Sequence, residues 1–126
     1  MGTSLLFEAE SYDIRGAVFD VYREMGPGLL EAVYQECLEH EFTRRKIPFE
    51  AQPMIHINYK GTELRQTYKP DFICYGKILV EIKAVDELGK IQISQLQNYL
   101  KITGFRLGFL VNFNHDPGAD VIRIIL

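Results

Sequence analysis

Apolar and polar residues alternate with the period of α-helices along the first third of the chain. Apolar residues recur every three or four positions over residues 11–25, which predicts an amphipathic helix that Ser11 or Asp13 caps at its start. The run Gly26-Pro27-Gly28 ends this helix, because proline lacks a backbone donor and glycine tolerates positive φ. A second apolar stripe over residues 29–45 predicts a second helix after this break.

Beyond Pro48 the pattern becomes typical of β-strands. The predicted strands cover residues 54–59, 62–68, 70–74, 78–84, 106–113 and 121–126, the last of them at the edge of a sheet. A third helix is predicted over residues 90–103, ending at Gly104. Its place between two strands favours a right-handed parallel crossover, whereas the earlier strands favour antiparallel hairpins. The pattern therefore predicts an α/β fold, with a small mixed β-sheet flanked by α-helices.

The length of 126 residues indicates a single domain, residues 1–126, in which about residues 1–10 are expected to form a loosely ordered N-terminal segment. No apolar run approaches the roughly 20 residues that cross a bilayer, and no signal peptide is recognisable. We therefore expect a soluble, cytoplasmic protein without a membrane partner. The 17 acidic residues outnumber the 14 basic ones, so any contact with nucleic acid must depend on a local site rather than on bulk charge.

Three ionisable residues, Asp71, Glu81 and Lys83, lie on the two predicted strands 70–74 and 78–84. Glu81 and Lys83 are two positions apart, so their side chains project from the same face of one strand. The residues around them are apolar, and burying charged groups is costly unless they are paired or bind a metal. The pattern therefore indicates a chemical site, with a solvated strand face as the alternative.

The length of the turn between these strands decides whether Asp71 reaches the site. A two-residue turn places Asp71 on the wrong face of the sheet. A three-residue loop over residues 75–77 pairs Cys74 with Ile78 and places Asp71 opposite Glu81. We predict the three-residue loop, or a bulge with the same effect.

Two carboxylates at one spot repel each other unless a cation lies between them. A site made of oxygen atoms suits Mg²⁺ or Mn²⁺, which also binds phosphate oxygens. Such an ion lowers the pKa of a bound water and neutralises charge on a phosphate, and Lys83 beside it can orient the water or stabilise negative charge. Asp71 and Glu81 are therefore predicted as metal ligands, and Lys83 as a catalytic residue for phosphodiester hydrolysis.

Two motifs resemble those of a known nuclease superfamily. Pro70-Asp71 followed by Glu81-Ile82-Lys83 resembles the PD-(D/E)XK signature, and the run from Gly28 to Tyr34 reads G-x-x-E-x-x-Y. This run is similar to the bacterial GxxExxY protein family, a branch of the PD-(D/E)XK nuclease-like proteins. The resemblance extends over nearly the whole chain, and it implies a restriction-endonuclease-like core with a four-stranded mixed sheet between helices.

The resemblance also implies roles for residues outside the two strands. Glu31 matches an acidic residue that can complete the metal shell through water, and Gln95 matches a helix glutamine found beside the site in some members. Tyr34 lies one helical turn after Glu31 and is a candidate accessory residue.

Each of these assignments has a structural alternative. Glu31 in the first turn of a helix is favourable through the helix dipole alone. Tyr34 falls on the apolar stripe, so its hydroxyl can simply be tethered in the core, and Gln95 can be an ordinary residue of the helix surface. Tyr59 and Tyr68, which lie among basic residues, fit either contacts with nucleic acid or ordinary positions in a sheet.

The favoured function is that of a metal-dependent nuclease that hydrolyses phosphodiester bonds of nucleic acid, with DNA as the expected substrate and RNA as the alternative. A second hypothesis is a catalytically inactive protein that keeps the fold and binds nucleic acid or a protein partner. In that case Glu81 and Lys83 form an internal ion pair without metal, and the acidic composition agrees with this reading. A third hypothesis is a subunit that is active only as a homodimer.

Overall fold

The structure, a computed structural model, describes residues 6–126. The elements in this part are, in chain order, α1 (Glu8–Met25), α2 (Glu31–Arg44), β1 (Phe49–Ala51), β2 (Ile55–Tyr59), β3 (Thr62–Tyr68), β4 (Phe72–Cys74), β5 (Ile78–Lys83), α3 (Lys90–Thr103), β6 (Leu107–Asn112) and β7 (Asp120–Ile125). A mixed sheet flanked by helices results, which confirms the predicted α/β fold. Within residues 6–126, none of the helices has the length and apolar character of a membrane span.

Helix α1 begins earlier than the apolar pattern predicts. Its first residue is Glu8, so Ser11 is buried inside the helix, and no side chain caps the helix start. Residues 8–10 of the segment expected to be loosely ordered are therefore helical, whereas residues 1–5 lie outside the described residues. The early start has an apolar cause, because Leu6 and Phe7 pack against the core and fix the chain before its first turn.

Five strands form one sheet in the order β1-β4-β5-β6-β7, and β2 and β3 form a separate hairpin. The strands β5 and β6, which α3 connects, are parallel as predicted, and the other neighbours in the sheet are antiparallel. Strand β7 lies at the edge, also as predicted. The resemblance implied only four strands. The fifth strand, β1, pairs along β4 and has three residues, too few to show a periodic pattern.

Apolar side chains fill both faces of the sheet. On one face, α1 and α2 pack against Ile78, Val80 and Ile82 of β5. On the other face, α3 packs against Leu79 of the same strand. Because side chains alternate along a strand, Glu81 and Lys83 belong to the face that α3 covers.

The turn between β4 and β5 has the predicted three-residue form. Cys74 pairs with Ile78, and residues 75–77 form the loop between them. Tyr75 and Gly76 have φ angles of 57° and 68°, in the left-handed region that lets a chain reverse direction within so few residues. The register is therefore the one that directs Asp71, just before β4, toward Glu81.

Candidate metal centre

The two predicted metal ligands lie side by side at the start of β4 and near the end of β5. The Asp71 Oδ2 atom accepts a hydrogen bond from the Ile82 N–H at 2.7 Å. The backbone N–H of Asp71 donates in turn to Glu81 Oε1 at 3.2 Å. Each carboxyl group thus accepts a hydrogen bond from backbone at or beside the other acid, and each acid affects the pKa of the other, so the two side chains do not point to opposite sides of the sheet.

Burial makes it costly for both acids to be charged. Loss of surrounding water raises the pKa of Glu81 to about 7; the charge of Asp71 acts in the same direction, and the hydrogen bond from Tyr68 opposes it. Burial also raises the pKa of Asp71, although hydrogen bonds from Ile82 and Glu81 and the charge of Lys83 lower it. A cation bound between the two carboxyl groups would relieve this cost.

Tyr68 is a residue of this site that the sequence interpretation missed. Its hydroxyl donates to Glu81 Oε2 at 2.5 Å, and its ring stacks on Tyr99 of α3 with the centroids 3.6 Å apart and the planes 4° apart. The side chain is buried, so it offers no open platform for the bases of a nucleic acid. The signal in the sequence is weak, because Tyr68 is simply the last residue of a mostly polar strand.

Lys83 lies on the same face as Glu81 and is partly exposed. Its positive charge lowers the pKa of Asp71, so the ammonium group is near the carboxyl pair. No ion pair of Lys83 is found within residues 6–126. The internal Glu81–Lys83 pair of the second hypothesis is therefore not formed, because Glu81 is held by Tyr68 and Asp71 instead.

An open groove of about 650 Å³ reaches Asp71 from the side of α2. Its lining is strongly acidic and includes Glu31, Glu36 and Glu39 besides Asp71. Glu31 Oε2 accepts a hydrogen bond from the Ala84 N–H at 3.3 Å. The first residue of α2 therefore reaches the end of β5, near the carboxyl pair, where its charge raises the pKa of Asp71.

Gln35 lines the same groove and is a second residue that the sequence interpretation missed. Its Nε2 donates to the Asp71 carbonyl oxygen at 3.2 Å, which ties α2 to the start of β4. Its Oε1 is buried and has no hydrogen-bond partner in the described part of the chain. A buried acceptor without a donor costs about 1–3 kcal/mol. A hydrated cation at Asp71 would supply such a donor through one of its waters.

Tyr34 forms its side-chain hydrogen bonds with the loop before α2. Its hydroxyl donates to the Gly26 carbonyl at 2.6 Å and accepts a hydrogen bond from the Leu29 N–H at 3.1 Å. Its buried ring stacks on Phe113, with the centroids 4.4 Å apart. Tyr34 therefore holds the loop before α2 against the core, in agreement with its structural alternative. No hydrogen bond between its hydroxyl and Asp71 or Glu81 is found among residues 6–126, and its accessory role stays a prediction.

Gln95 is exposed on α3, where it lines a separate groove with Lys90, Ser94 and Asn98. No hydrogen bond between Gln95 and the carboxyl pair is found in the part of the chain that the structure describes. Gln95 therefore lies on the outer surface of α3, the helix that covers the face of the sheet to which Lys83 belongs.

The donor set fits a hard divalent cation that is bound largely through water. No group of three or more acidic, histidine or cysteine side chains within residues 6–126 is arranged to hold a metal ion by itself. Mg²⁺ usually keeps several waters and takes one or two carboxylates, and Asp71 and Glu81 supply two.

A family model and a solved structure each match nearly the whole chain. The sequence model of the PD-(D/E)XK nuclease superfamily matches residues 8–124. A solved structure named "Crystal structure of SSO0001" is similar with a TM-score of 0.54 and 21% identity, over 94% of this chain and 60% of that chain. At this identity the likeness concerns the fold alone, and this chain spans about 60% of the length of the solved one. No curated protein matches the sequence.

Proposed function

Because the chain belongs to the PD-(D/E)XK nuclease superfamily, we propose that it is a metal-dependent nuclease that hydrolyses phosphodiester bonds of nucleic acid, with DNA as the expected substrate. The observation that carries the proposal is the pair of hydrogen bonds that holds the Asp71 and Glu81 carboxyl groups side by side, with the charge of Lys83 close enough to lower the pKa of Asp71. We also assign the chain to the GxxExxY branch, on the residues Gly28, Glu31 and Tyr34.

Each residue of the site has a proposed part in the reaction. Asp71 and Glu81 hold Mg²⁺ or Mn²⁺, which, when bound, neutralises phosphate charge and lowers the pKa of water. The ammonium group of Lys83 stabilises negative charge on the phosphate or orients the attacking water. Glu31 accepts hydrogen bonds from water in the groove, and Gln95 contacts the nucleic-acid backbone from the exposed surface of α3.

The acidic groove supports a cation requirement. Glu31, Glu36 and Glu39 give the α2 side of the site a negative potential that repels phosphate. The net charge of −3 offers no compensating attraction. Phosphate therefore approaches from the α3 face, where Lys83 lies, and a divalent cation offsets the charge of the carboxyl pair.

Calorimetric titration with Mn²⁺ tests the metal site. We expect the wild-type protein to bind Mn²⁺ and Asp71→Ala to lose most of this binding, since half of the carboxylate ligands are removed. Asp86→Ala, which removes an exposed acid in the loop after β5, is the matched control and should bind as the wild type does. Equal binding by wild type and Asp71→Ala, or binding by neither, would count against a metal site at these residues.

Incubation with labelled single-stranded, duplex and branched DNA and with RNA, in Mg²⁺ or Mn²⁺, tests the activity. We expect cleavage that Lys83→Ala abolishes, whereas Lys101→Ala, which removes an exposed lysine of α3, leaves it unchanged. Binding of these substrates without cleavage would favour the catalytically inactive module instead.

A further inference from the structure

The Glu81 carboxylate is held in a fixed orientation by two protein donors. Oε1 accepts a hydrogen bond from the Asp71 N–H at 3.2 Å, and Oε2 accepts one from the Tyr68 hydroxyl at 2.5 Å. A carboxylate oxygen has two lone pairs, so each oxygen keeps one for a further partner. The two donors therefore set the plane of the carboxylate without using up its capacity to bind a cation.

The Tyr68 hydroxyl is itself fixed by packing. The residue is 5% exposed, and its ring lies flat against Tyr99. Its backbone pairs with Ile55 at the end of the β2–β3 hairpin. Tyr68 thus joins the hairpin and α3 to a residue of β5, and the stack on Tyr99 holds its ring with the hydroxyl at Glu81.

We propose that Tyr68 is a positioning residue that orients the Glu81 carboxylate for the divalent cation. This inference rests on the proposed function. The hydroxyl is buried behind Glu81, so Tyr68 acts on the metal through the carboxylate and does not touch the substrate. The hydroxyl is the donor in its contact with Glu81 Oε2, and the stacked ring keeps it there.

Loss of the Tyr68 hydroxyl would leave the Glu81 side chain, which has three rotatable bonds, with only the hydrogen bond from the Asp71 N–H. Groups that orient metal ligands by hydrogen bonds contribute about 10–100-fold to metal affinity. Tyr68→Phe keeps the stacked ring and removes only the donor to Glu81. Tyr99→Phe is the matched control, because it removes a hydroxyl from the other ring of the same stack, for which no hydrogen bond is found among residues 6–126.

Calorimetric Mn²⁺ titrations of wild type, Tyr68→Phe and Tyr99→Phe test this inference, with urea unfolding of each metal-free protein as the measure of structure. We expect the Kd for Mn²⁺ to rise about tenfold in Tyr68→Phe and to stay within about twofold of the wild-type value in Tyr99→Phe. Equal affinity in Tyr68→Phe and wild type would overturn the positioning role and leave the metal site in place. A similar loss in both variants would also overturn it, because the stack and not the hydroxyl would then matter.

An absence of Mn²⁺ binding by the wild type would remove the proposed function and the positioning role together. A second measurement does not depend on whether Tyr68→Phe folds. The chain has no tryptophan, so its emission comes from tyrosine, which a carboxylate acceptor quenches. We expect Mg²⁺ to change this emission in wild type and Tyr99→Phe but not in Asp71→Ala; no change in the wild type would contradict coupling between Tyr68 and the metal.

Discussion

The carboxyl groups of Asp71 and Glu81 lie side by side in a place where neither is well solvated. Asp71 and Glu81 are both partly buried, and their pKa values are raised for that reason. Such a pair weakens the metal-free fold, because the unfolded chain ionises its carboxyl groups more easily than the folded one does. If the proposed cation binds here, it would offset this loss of stability.

Replacement of one acid should therefore stabilise the metal-free protein. The pKa of Glu81 in the folded chain is about 7 against an ordinary value of 4.5, so the wild type loses stability as the pH rises through this interval. Glu81→Gln removes this loss and should be more stable near neutral pH, by on the order of 1 kcal/mol. Urea unfolding in a chelator at about pH 5 and about pH 8 measures the difference.

Glu50→Gln, a change at an exposed acid of β1, serves as the control for this experiment and should keep the pH dependence of the wild type. A wild type whose stability is the same at both pH values would contradict the interpretation that the buried pair is costly when charged.

The tether at Tyr34 gives a prediction about stability alone. Tyr34→Phe keeps the ring that stacks on Phe113 and removes the hydrogen bonds to Gly26 and Leu29. The free energy of unfolding should fall by about 1–2 kcal/mol, whereas Tyr12→Phe, at a residue 78% exposed, should change it by less than about 0.5 kcal/mol. Mn²⁺ affinity should be unchanged in both variants; a large loss in Tyr34→Phe would restore a role for this hydroxyl at the metal site.

The residues of the site differ in how far the sequence reveals them. Asp71, Glu81 and Lys83 are recognisable because strand alternation and the length of one loop determine their common face. Tyr68 and Gln35 are not, because their partners lie 13 and 36 positions away on other elements. Whether a tyrosine hydroxyl or a helix glutamine meets a given carboxylate or carbonyl depends on packing distances that no local pattern contains.

At the scale of elements, the helices and the central strands follow from hydrophobic periodicity. Helix α3 and strand β3 have the predicted bounds, and β5 and β6 are parallel as their connection requires. The separate β2–β3 hairpin and the short β1 are not predictable in the same way, because sheet membership depends on which edges meet in space. The start of α1 at Glu8 likewise depends on the contacts of Leu6 and Phe7 with a distant core.

The contact between α3 and β6 gives a prediction for the glycine in that strand. A Cβ atom at Gly108 would lie 3.2 Å from Leu96 Cδ2, and Leu96 is buried between helix and sheet, so it has little room to shift. Gly108→Ala should lower the free energy of unfolding by about 1–3 kcal/mol. In a Leu96→Ala background the same change should cost less, because the opposing methyl groups are absent; an equal cost in both backgrounds would contradict a clash with Leu96.

At the scale of the whole molecule, the proposed cation binding would be linked to folding. The proposed metal site draws on β4, β5 and the hairpin residue Tyr68, so it exists only in the folded chain. Free Mn²⁺ at about one hundred times its Kd should therefore raise the free energy of unfolding by about 2.7 kcal/mol. Urea unfolding with and without Mn²⁺ measures this increase, and addition of a chelator should reverse it.

Asp71→Ala should show little stabilisation by Mn²⁺ under the same conditions. Equal stabilisation of this variant and the wild type would place the cation elsewhere on the protein. The comparison also separates a loss of metal affinity from a loss of fold, since both proteins are measured without metal first.

The three-residue connection between Cys74 and Ile78 has a consequence for the natural variation of related chains. One residue inserted into or deleted from the paired segments 71–74 or 78–81 would turn Asp71 away from Glu81 unless a bulge compensates, whereas a change within the connection itself can leave the pairing of Cys74 with Ile78 intact. Among homologues that retain both acids, the connection should therefore vary in length while the two paired segments keep theirs. An alignment can thus distinguish relatives with an intact carboxyl pair from relatives that keep both acids but direct them to opposite faces of the sheet.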